Sequence, residues 1–325
     1  MKIGIYSPNW IGDAVMSLSF IQILRSKYPD AEIMVFCREW VSAVYDNNPA
    51  INQIIQFSVN EISGLTNIVR TGRKLKEYNF DKFFTLTDSF RSALILWLSG
   101  SIKRYGYKAQ MRTIFLTDAL KISNKNIHRS QKYIELIQCE STGDLKPKIS
   151  LSNSQAKWAE KEIKKIGLSD PVALLPFSVS SDRTIPNYIL IKWIKNTKNN
   201  YLVFGSKEDK NKAKQLVNLS KSTSIKSICG NYSLKQSIAM IAACNFSLAT
   251  DSGMGHISAA LGIPTISFFG KGNHDITGPM GAKISIIKHC RNCIGNQCIN
   301  SENRKCIKTI SRSDIDLVLD NLINT

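Results

Sequence analysis

Short apolar runs alternate with longer amphipathic ones along most of the chain. The run Ile3–Tyr6 predicts a buried strand. Ala14–Lys27 has apolar residues at helical spacing and predicts a helix. Glu32–Cys37 and Phe83–Leu86 predict further strands, and the segments Trp40–Asn47, Ile68–Glu77 and Phe90–Leu98 predict helices. Strands that alternate with helices imply a parallel sheet covered on both faces, an α/β fold.

The pattern breaks near Leu145–Asn153, where the chain turns polar, and a charged helix follows at Gln155–Ile166 with Gly167 as its C-cap. The expected division is residues 1–153 and 154–325. In the second half, strands are predicted at Val172–Leu175, Tyr201–Phe204, near Ser227–Ile228, at Phe246–Ala249 and at Thr265–Phe268. Helices are predicted at Tyr188–Asn196, Asp209–Ser220, Ser233–Ala243 and His256–Leu261. A last helix, Arg312–Asn321, follows a Cys-rich segment and is a candidate to pack back on the first domain. Two Rossmann-like domains facing across a cleft are the inferred architecture, with ligands at the carboxyl ends of the strands.

At 325 residues the chain is long for one core. It has no apolar stretch of about 18 residues, so no membrane span is expected. It opens directly into a strand without a signal-peptide pattern, so a cytoplasmic location is expected. The net charge of +18, from 43 basic and 25 acidic side chains, favours polyanionic partners: nucleic acid, an anionic membrane surface or phosphate-rich substrates. Much of the excess is scattered; Lys157, Lys161, Lys164 and Lys165 read as a solvated helix face. No recognition helix or basic tail stands out, which argues against a nucleic-acid-binding protein. No G-x-G-x-x-G follows the first strand, which argues against a dinucleotide-dependent oxidoreductase.

There are eight cysteines. Cys37, Cys139, Cys229 and Cys244 read as small buried hydrophobes. Cys290, Cys293, Cys298 and Cys306 lie in one short segment and have zinc-ligand character, but their spacing matches no standard finger; a structural zinc and reduced thiols both fit.

The sharpest chemical signal is "LATDSGMGHISAALGIPTISFFG", residues 248–270. A buried strand delivers Thr250, Asp251, Ser252 and Gly253 to a helix N-terminus, whose free N–H groups suit a phosphate. Ser252 as a simple helix cap is the alternative. His256 is either a donor in the site or a packed helix histidine. Asp13, in "NWIGDAVMS", is either a helix cap or a general base.

These motifs together resemble the family 9 glycosyltransferases, the heptosyltransferases of lipopolysaccharide inner-core assembly. The resemblance extends through "SPNWIGDAVMSLSFIQILRSKYP", "LTDSFRSAL", "RYGYKAQMR", "VFGSKED" and "GNYSLKQSIAMIAACN", in order along the chain. The amino-terminal motif looks most like the type II members; types I and III are the alternatives. The resemblance implies a GT-B architecture and an inverting transfer from ADP-heptose to a heptosyl-Kdo2-lipid A acceptor. It implies no required cofactor or metal, and the overall basicity suits peripheral attachment to the anionic inner face of the inner membrane.

By the same resemblance Asp13 is the catalytic base, and Arg183 takes the place of the family's usual lysine at the departing diphosphate. Ser178, Ser180 and Ser181 share Arg183's loop. Asp209 is implied at the ribose, or else as a helix cap. Thr250, Asp251, Ser252, Gly253 and His256 complete the donor set. Asn9, Trp10, Gly12, Arg91, Arg104, Tyr107 and Arg112 are the acceptor candidates, with the run "KRYGYKAQMR" as a basic wall facing Kdo carboxylates and lipid A phosphates. Ile185 stands where the family usually has Trp.

Overall fold

The computed structural model describes residues 1–122, 124, 126–138, 146–180, 183–270, 272–288, 293–294, 297–298 and 305–324. The chain divides into two compact units, Met1–Ile149 and Ser150–Thr325. The division falls before the cap of the helix that opens the second unit. Ser152 and Gln155 form a reciprocal capping box there, so the cap belongs with its helix.

In the first unit, strands β1 (Lys2–Tyr6), β2 (Glu32–Arg38), β3 (Gln53–Phe57), β4 (Lys82–Thr85), β5 (Lys103–Tyr107) and β6 (Asp118–Leu120) form one parallel sheet in the order β3-β2-β1-β4-β5-β6. Helices α1 (Ile11–Lys27), α2 (Leu65–Lys74), α3 (Phe90–Leu98) and α4 (Arg129–Glu135) accompany it. The central strand is thin at Gly4, where a Cβ would lie 2.7 Å from the Phe83 ring of β4. Aromatic rings fill that side of the core: Phe36, Phe80 and Phe83 pack with centroids 4.8–5.6 Å apart.

The second unit repeats the plan. Strands β7 (Val172–Leu175), β8 (Tyr201–Val203), β9 (Ile225–Ser227), β10 (Ser247–Thr250), β11 (Thr265–Phe268) and β12 (Ile284–Ile287) form a parallel sheet in the order β12-β11-β10-β7-β8-β9. Its helices are α5 (Asn153–Ile166), α6 (Asn187–Ile194), α7 (Lys210–Ser220), α8 (Leu234–Ala242), α9 (Gly253–Ala260), α10 (His274–Thr277), α11 (Lys305–Lys308) and α12 (Arg312–Asn324). Gly167 caps α5 in a left-handed conformation at φ 83°, as its sequence position predicts. Counted from its own first strand, each sheet has the doubly wound order 3-2-1-4-5-6, so each has a topological switch point beside its first strand.

Several expectations change. Trp40–Asn47 was expected as a helix; the structure has a short 3-10 helix at Glu39–Val44. Strands β3, β5, β6 and β12 and helix α4 carry weak patterns and were not foreseen. The last helix packs into the second core through Ile315 and Leu322, and Trp193 Nε1 donates to Asp316 at 2.9 Å. Of the clustered cysteines, Cys290 lies outside the described residues. Cys293 and Cys298 are backbone register partners in the antiparallel pair β13 (Cys293–Ile294) and β14 (Gln297–Cys298), and Cys306 lies in α11.

Candidate active site

In the first unit, the switch point lies between the ends of β1 and β4. The turn after β1 carries Asn9, Trp10 and Gly12 into α1, and the loop after β4 carries Thr87 to Ser89 into α3. A cavity of about 530 Å³ opens there, lined by Tyr6, Asn9, Ser89, Phe90, Arg91 and Gln110 with an apolar wall of Ile62, Gly64, Leu65, Ile68 and Leu94. Asn9 is held through its carbonyl, which accepts from Trp40 Nε1 at 2.8 Å. Its side-chain Oδ1 is buried and accepts no hydrogen bond from the described residues. Arg91 is exposed at the same cavity, so the structure brings Asn9 and Arg91 together. Trp10 stands 65% exposed on the turn.

Asp13 is not the cap of α1. Trp10 occupies that position, no side chain caps the helix, and Asp13 lies in its first turn. The helix dipole favours a carboxylate at that place. Arg129 Nε approaches Asp13 Oδ1 at 3.9 Å, and Tyr133 hydroxyl donates to the same oxygen at 3.5 Å. Burial holds the Tyr133 phenol well above its ordinary range, and the nearby Asp13 charge adds to this. Tyr133 therefore stays protonated as a donor.

Three acceptor candidates change role. Arg112 was expected on an exposed basic wall, but it is completely buried. Its guanidinium donates to the carbonyls of Tyr107, Thr87 and Ser89, and it pairs with Asp88 at 3.2 Å. It is the brace of the loop that presents Ser89 to Arg91. Tyr107 is also buried; its hydroxyl donates to Lys132 carbonyl at 2.6 Å and to Glu135 at 3.0 Å. Arg104 spends its donors on Phe115 and Ser101 carbonyls, at 2.8 and 2.6 Å. The wall fails because "KRYGY" is a strand in a sheet rather than a loop.

In the second unit the switch point lies between β7 and β10. Ser178, past the end of β7, donates to the Asp251 carbonyl at 3.2 Å. Arg183 Nε lies 3.4 Å from Asp251 Oδ2, and Thr250 hydroxyl donates to the Arg183 carbonyl. Ser180 shapes the same loop, its carbonyl accepting from Arg183 N at 3.1 Å. The Asp251 side chain is only 5% exposed. Burial pushes its carboxyl from the usual 3.8 up to about 6, against the opposing pull of Arg183 and then Lys288.

Ser252 occupies the N-cap position of α9, yet its side chain makes no capping bond. Its hydroxyl is buried without a hydrogen-bond partner among the described residues. Gly253 opens the helix. Gly255 keeps it close to β10: a Cβ there would lie 3.0 Å from that of Ala249. His256 is buried at 4% exposure, the packed arrangement rather than the open one. Ser181 lies outside the described residues.

Asp209 follows β8, the strand paired with β7, and its Cβ and the Phe177 ring both lie within about 3.0 Å of where a Cβ at Gly205 would stand. Its Oδ2 accepts from Ser206 N at 3.1 Å and Ser206 Oγ at 2.8 Å, closing a capping box. Ile185, where the resemblance places Trp, is a buried core residue.

Lys288, Arg129, Tyr133 and Asp88 are not among the residues the sequence predicts for the site. Lys288 follows the unforeseen β12, and its Nζ donates to Gly272 carbonyl at 2.7 Å. Arg129 and Tyr133 belong to the unforeseen α4. Asp88 lies in the motif "LTDSFRSAL" and pairs with both Arg112 and Lys132, the latter at 2.7 Å.

The chain resembles characterised proteins across both units. It is 27% identical to lipopolysaccharide heptosyltransferase 2 of Salmonella typhimurium over 309 residues, covering 89% of this chain and 88% of that protein. The solved structure of ADP-heptose lipopolysaccharide heptosyltransferase II from E. coli superposes with a TM-score of 0.83 at 23% identity, covering 99% of both chains. A family 9 glycosyltransferase from Veillonella parvula gives a TM-score of 0.86 at 18% identity, covering 99% of this chain and 97% of that one. Those likenesses establish the fold as the GT-B type. The family model for glycosyltransferase family 9 (heptosyltransferase) matches residues 68–306, from α2 of the first unit to α11 of the second, and the chain belongs to that family.

Proposed function

We propose that this protein is a type II enzyme, transferring L-glycero-D-manno-heptose from ADP-heptose to a heptosyl-Kdo2-lipid A acceptor with inversion. The observation that carries the reading is the match to heptosyltransferase 2 of Salmonella typhimurium over nearly the whole of both chains. Each switch point holds groups suited to one half of the reaction.

Asp13 accepts the proton of the acceptor hydroxyl as that oxygen attacks the anomeric carbon. The bond from that carbon to the β-phosphate oxygen breaks, and ADP departs with the electron pair. A single displacement of this kind inverts the anomeric centre. Tyr133 and Arg129 orient Asp13 through one oxygen. Arg183 meets the developing diphosphate charge, with Lys288 as a second cation whose charge reaches Asp251. Ser252 and the first N–H groups of α9 offer further donors to phosphate. Asp251, as a carboxylate, accepts heptose hydroxyls.

On the acceptor side, Arg91 meets an anionic sugar in the cavity and Asn9 Oδ1 accepts a sugar hydroxyl. The anionic lipid surface that carries such an acceptor is the proposed partner, and peripheral attachment the proposed location. No helix among the described residues is long and apolar enough to cross a membrane.

The test uses ADP-heptose with Kdo2-lipid A bearing or lacking the first heptose. ADP release only with the heptosylated acceptor supports type II; transfer to the bare acceptor makes it type I. No transfer to either would sink the reading.

A further inference from the structure

The turn Gln110–Phe115 presents apolar side chains to solvent in a way that its own packing does not explain. Met111 is 90% exposed and Ile114 78% exposed. Scattered exposed hydrophobes are ordinary, but here they are contiguous with rings. Phe115 packs against Phe90 at 5.2 Å and Trp97 at 5.7 Å, and both of those rings are themselves 43–49% exposed.

The turn is also rigidly held. Gln110 and Met111 both have left-handed backbones, at φ 45° and 55°, a conformation disfavoured for residues other than glycine. Gln110 Oε1 accepts from Phe90 N at 3.1 Å, tying the turn to the start of α3. Next in sequence, the fully buried Arg112 anchors it from below. The chain thus spends backbone strain to hold Met111 outward between two anchors.

We infer that this turn inserts Met111 and Ile114 into an anionic lipid bilayer and so brings the membrane-borne acceptor to the adjoining cavity, an inference that rests on the acceptor reading above. Three features choose this occupant. Lys103, Lys108 and Arg91 are exposed on the neighbouring segments, the complement of an anionic surface. Exposed Trp97 suits the interface of a bilayer. A second copy of the chain would bring another +18 of like charge. The cavity itself is lined by Gln110 of the turn and by Phe90, which packs on Phe115 of the turn, so a bilayer at the turn lies next to it.

The experiment is co-sedimentation with vesicles of phosphatidylglycerol and phosphatidylcholine, and with phosphatidylcholine alone, using the full chain. Wild type is expected to bind the anionic vesicles more tightly and to weaken with salt. Met111→Ser/Ile114→Ser is expected to lose about tenfold or more in vesicle affinity, since two apolar side chains no longer leave water. Its thermal unfolding and its kcat/KM on a deacylated, water-soluble acceptor should match wild type. Met111→Trp/Ile114→Trp should bind vesicles at least as well as wild type.

Vesicle binding by the serine variant equal to wild type overturns the inference, as does wild-type indifference to lipid. Self-association that the serine variant abolishes, without vesicle binding by wild type, overturns it in favour of a second copy. Vesicle binding is read without donor or acceptor. An enzyme inactive on every acceptor therefore fails the transferase reading separately.

Discussion

Asp251 and Asp13 show how one side-chain type meets two different surroundings. Asp251 is nearly enclosed, and burial raises its carboxyl to about 6 even beside Arg183. The folded state therefore binds that proton more tightly than the unfolded chain. Between about pH 4 and pH 6 this contributes stability that is lost as pH rises through the folded value. Asp251→Asn is expected to remove that slope from urea-unfolding free energies measured across this range; an unchanged slope would clear Asp251. In the proposed donor role Asp251 accepts sugar hydroxyls as a carboxylate, so donor affinity is expected to weaken as pH falls through about 6, as calorimetric titration would record. Asp13 is more open and touches Arg129 and Tyr133. Asp13→Ala should lower transfer by about 10²-fold or more while ADP still binds. Normal turnover in that variant removes it as base.

At the scale of elements, the loop between β4 and α3 depends on a guanidinium supplied by the turn after β5. Arg112 satisfies three carbonyls and one carboxylate from the interior. Arg112→Leu leaves Asp88 without one of its two cations and the carbonyls unmet, and is expected to cost about 3–5 kcal/mol in chemical denaturation. A loss below about 1 kcal/mol would show that water replaces the brace. The β1–β4 pair makes a separate demand. A Cβ at position 4 would lie 2.7 Å from the Phe83 ring, so Gly4→Val should destabilise by about 1–3 kcal/mol through overpacking. Wild-type stability in that variant would mean Phe83 can move aside. Elements such as α3 and β7 are legible because each holds an unbroken apolar run, residues 93–98 in α3 and Val172–Leu175 in β7. β5 is not, because "KRYGY" puts two cations at its start and reads as surface until its neighbours β4 and β6 are in place.

For the whole molecule, two units with separate cores predict unfolding that is not a single two-state event. The proposed nucleotide groups all belong to the second unit. ADP at about 100 times its Kd is therefore expected to stabilise that unit by about 2.7 kcal/mol and leave the first nearly unchanged. Calorimetry with and without ADP would resolve this; a shift confined to the first unit would reverse the assignment. The second unit also relies on the end of the chain, because α12 closes its core and gives Trp193 its acceptor.

The sequence by itself determined the alternation of strand and helix, the two-unit plan and the family. Those features live in local periodicity and in contiguous motifs such as "TDSG" and "NWIGD". It also offered Asp13 and Asp251 as candidates, since each lies within such a motif, and Arg183 through the family resemblance. Tertiary structure decided which basic residues face the cavity and which brace it from within. Arg91 and Arg112 look alike as sequence, but one is exposed and the other has no contact with solvent. It also supplied Arg129 and Tyr133 to Asp13, from more than a hundred residues away, and Lys288 to the neighbourhood of Asp251. Periodicity reports whether a side chain is apolar at its spacing. It does not report which distant backbone carbonyls need a donor, and that need put Arg112 inside.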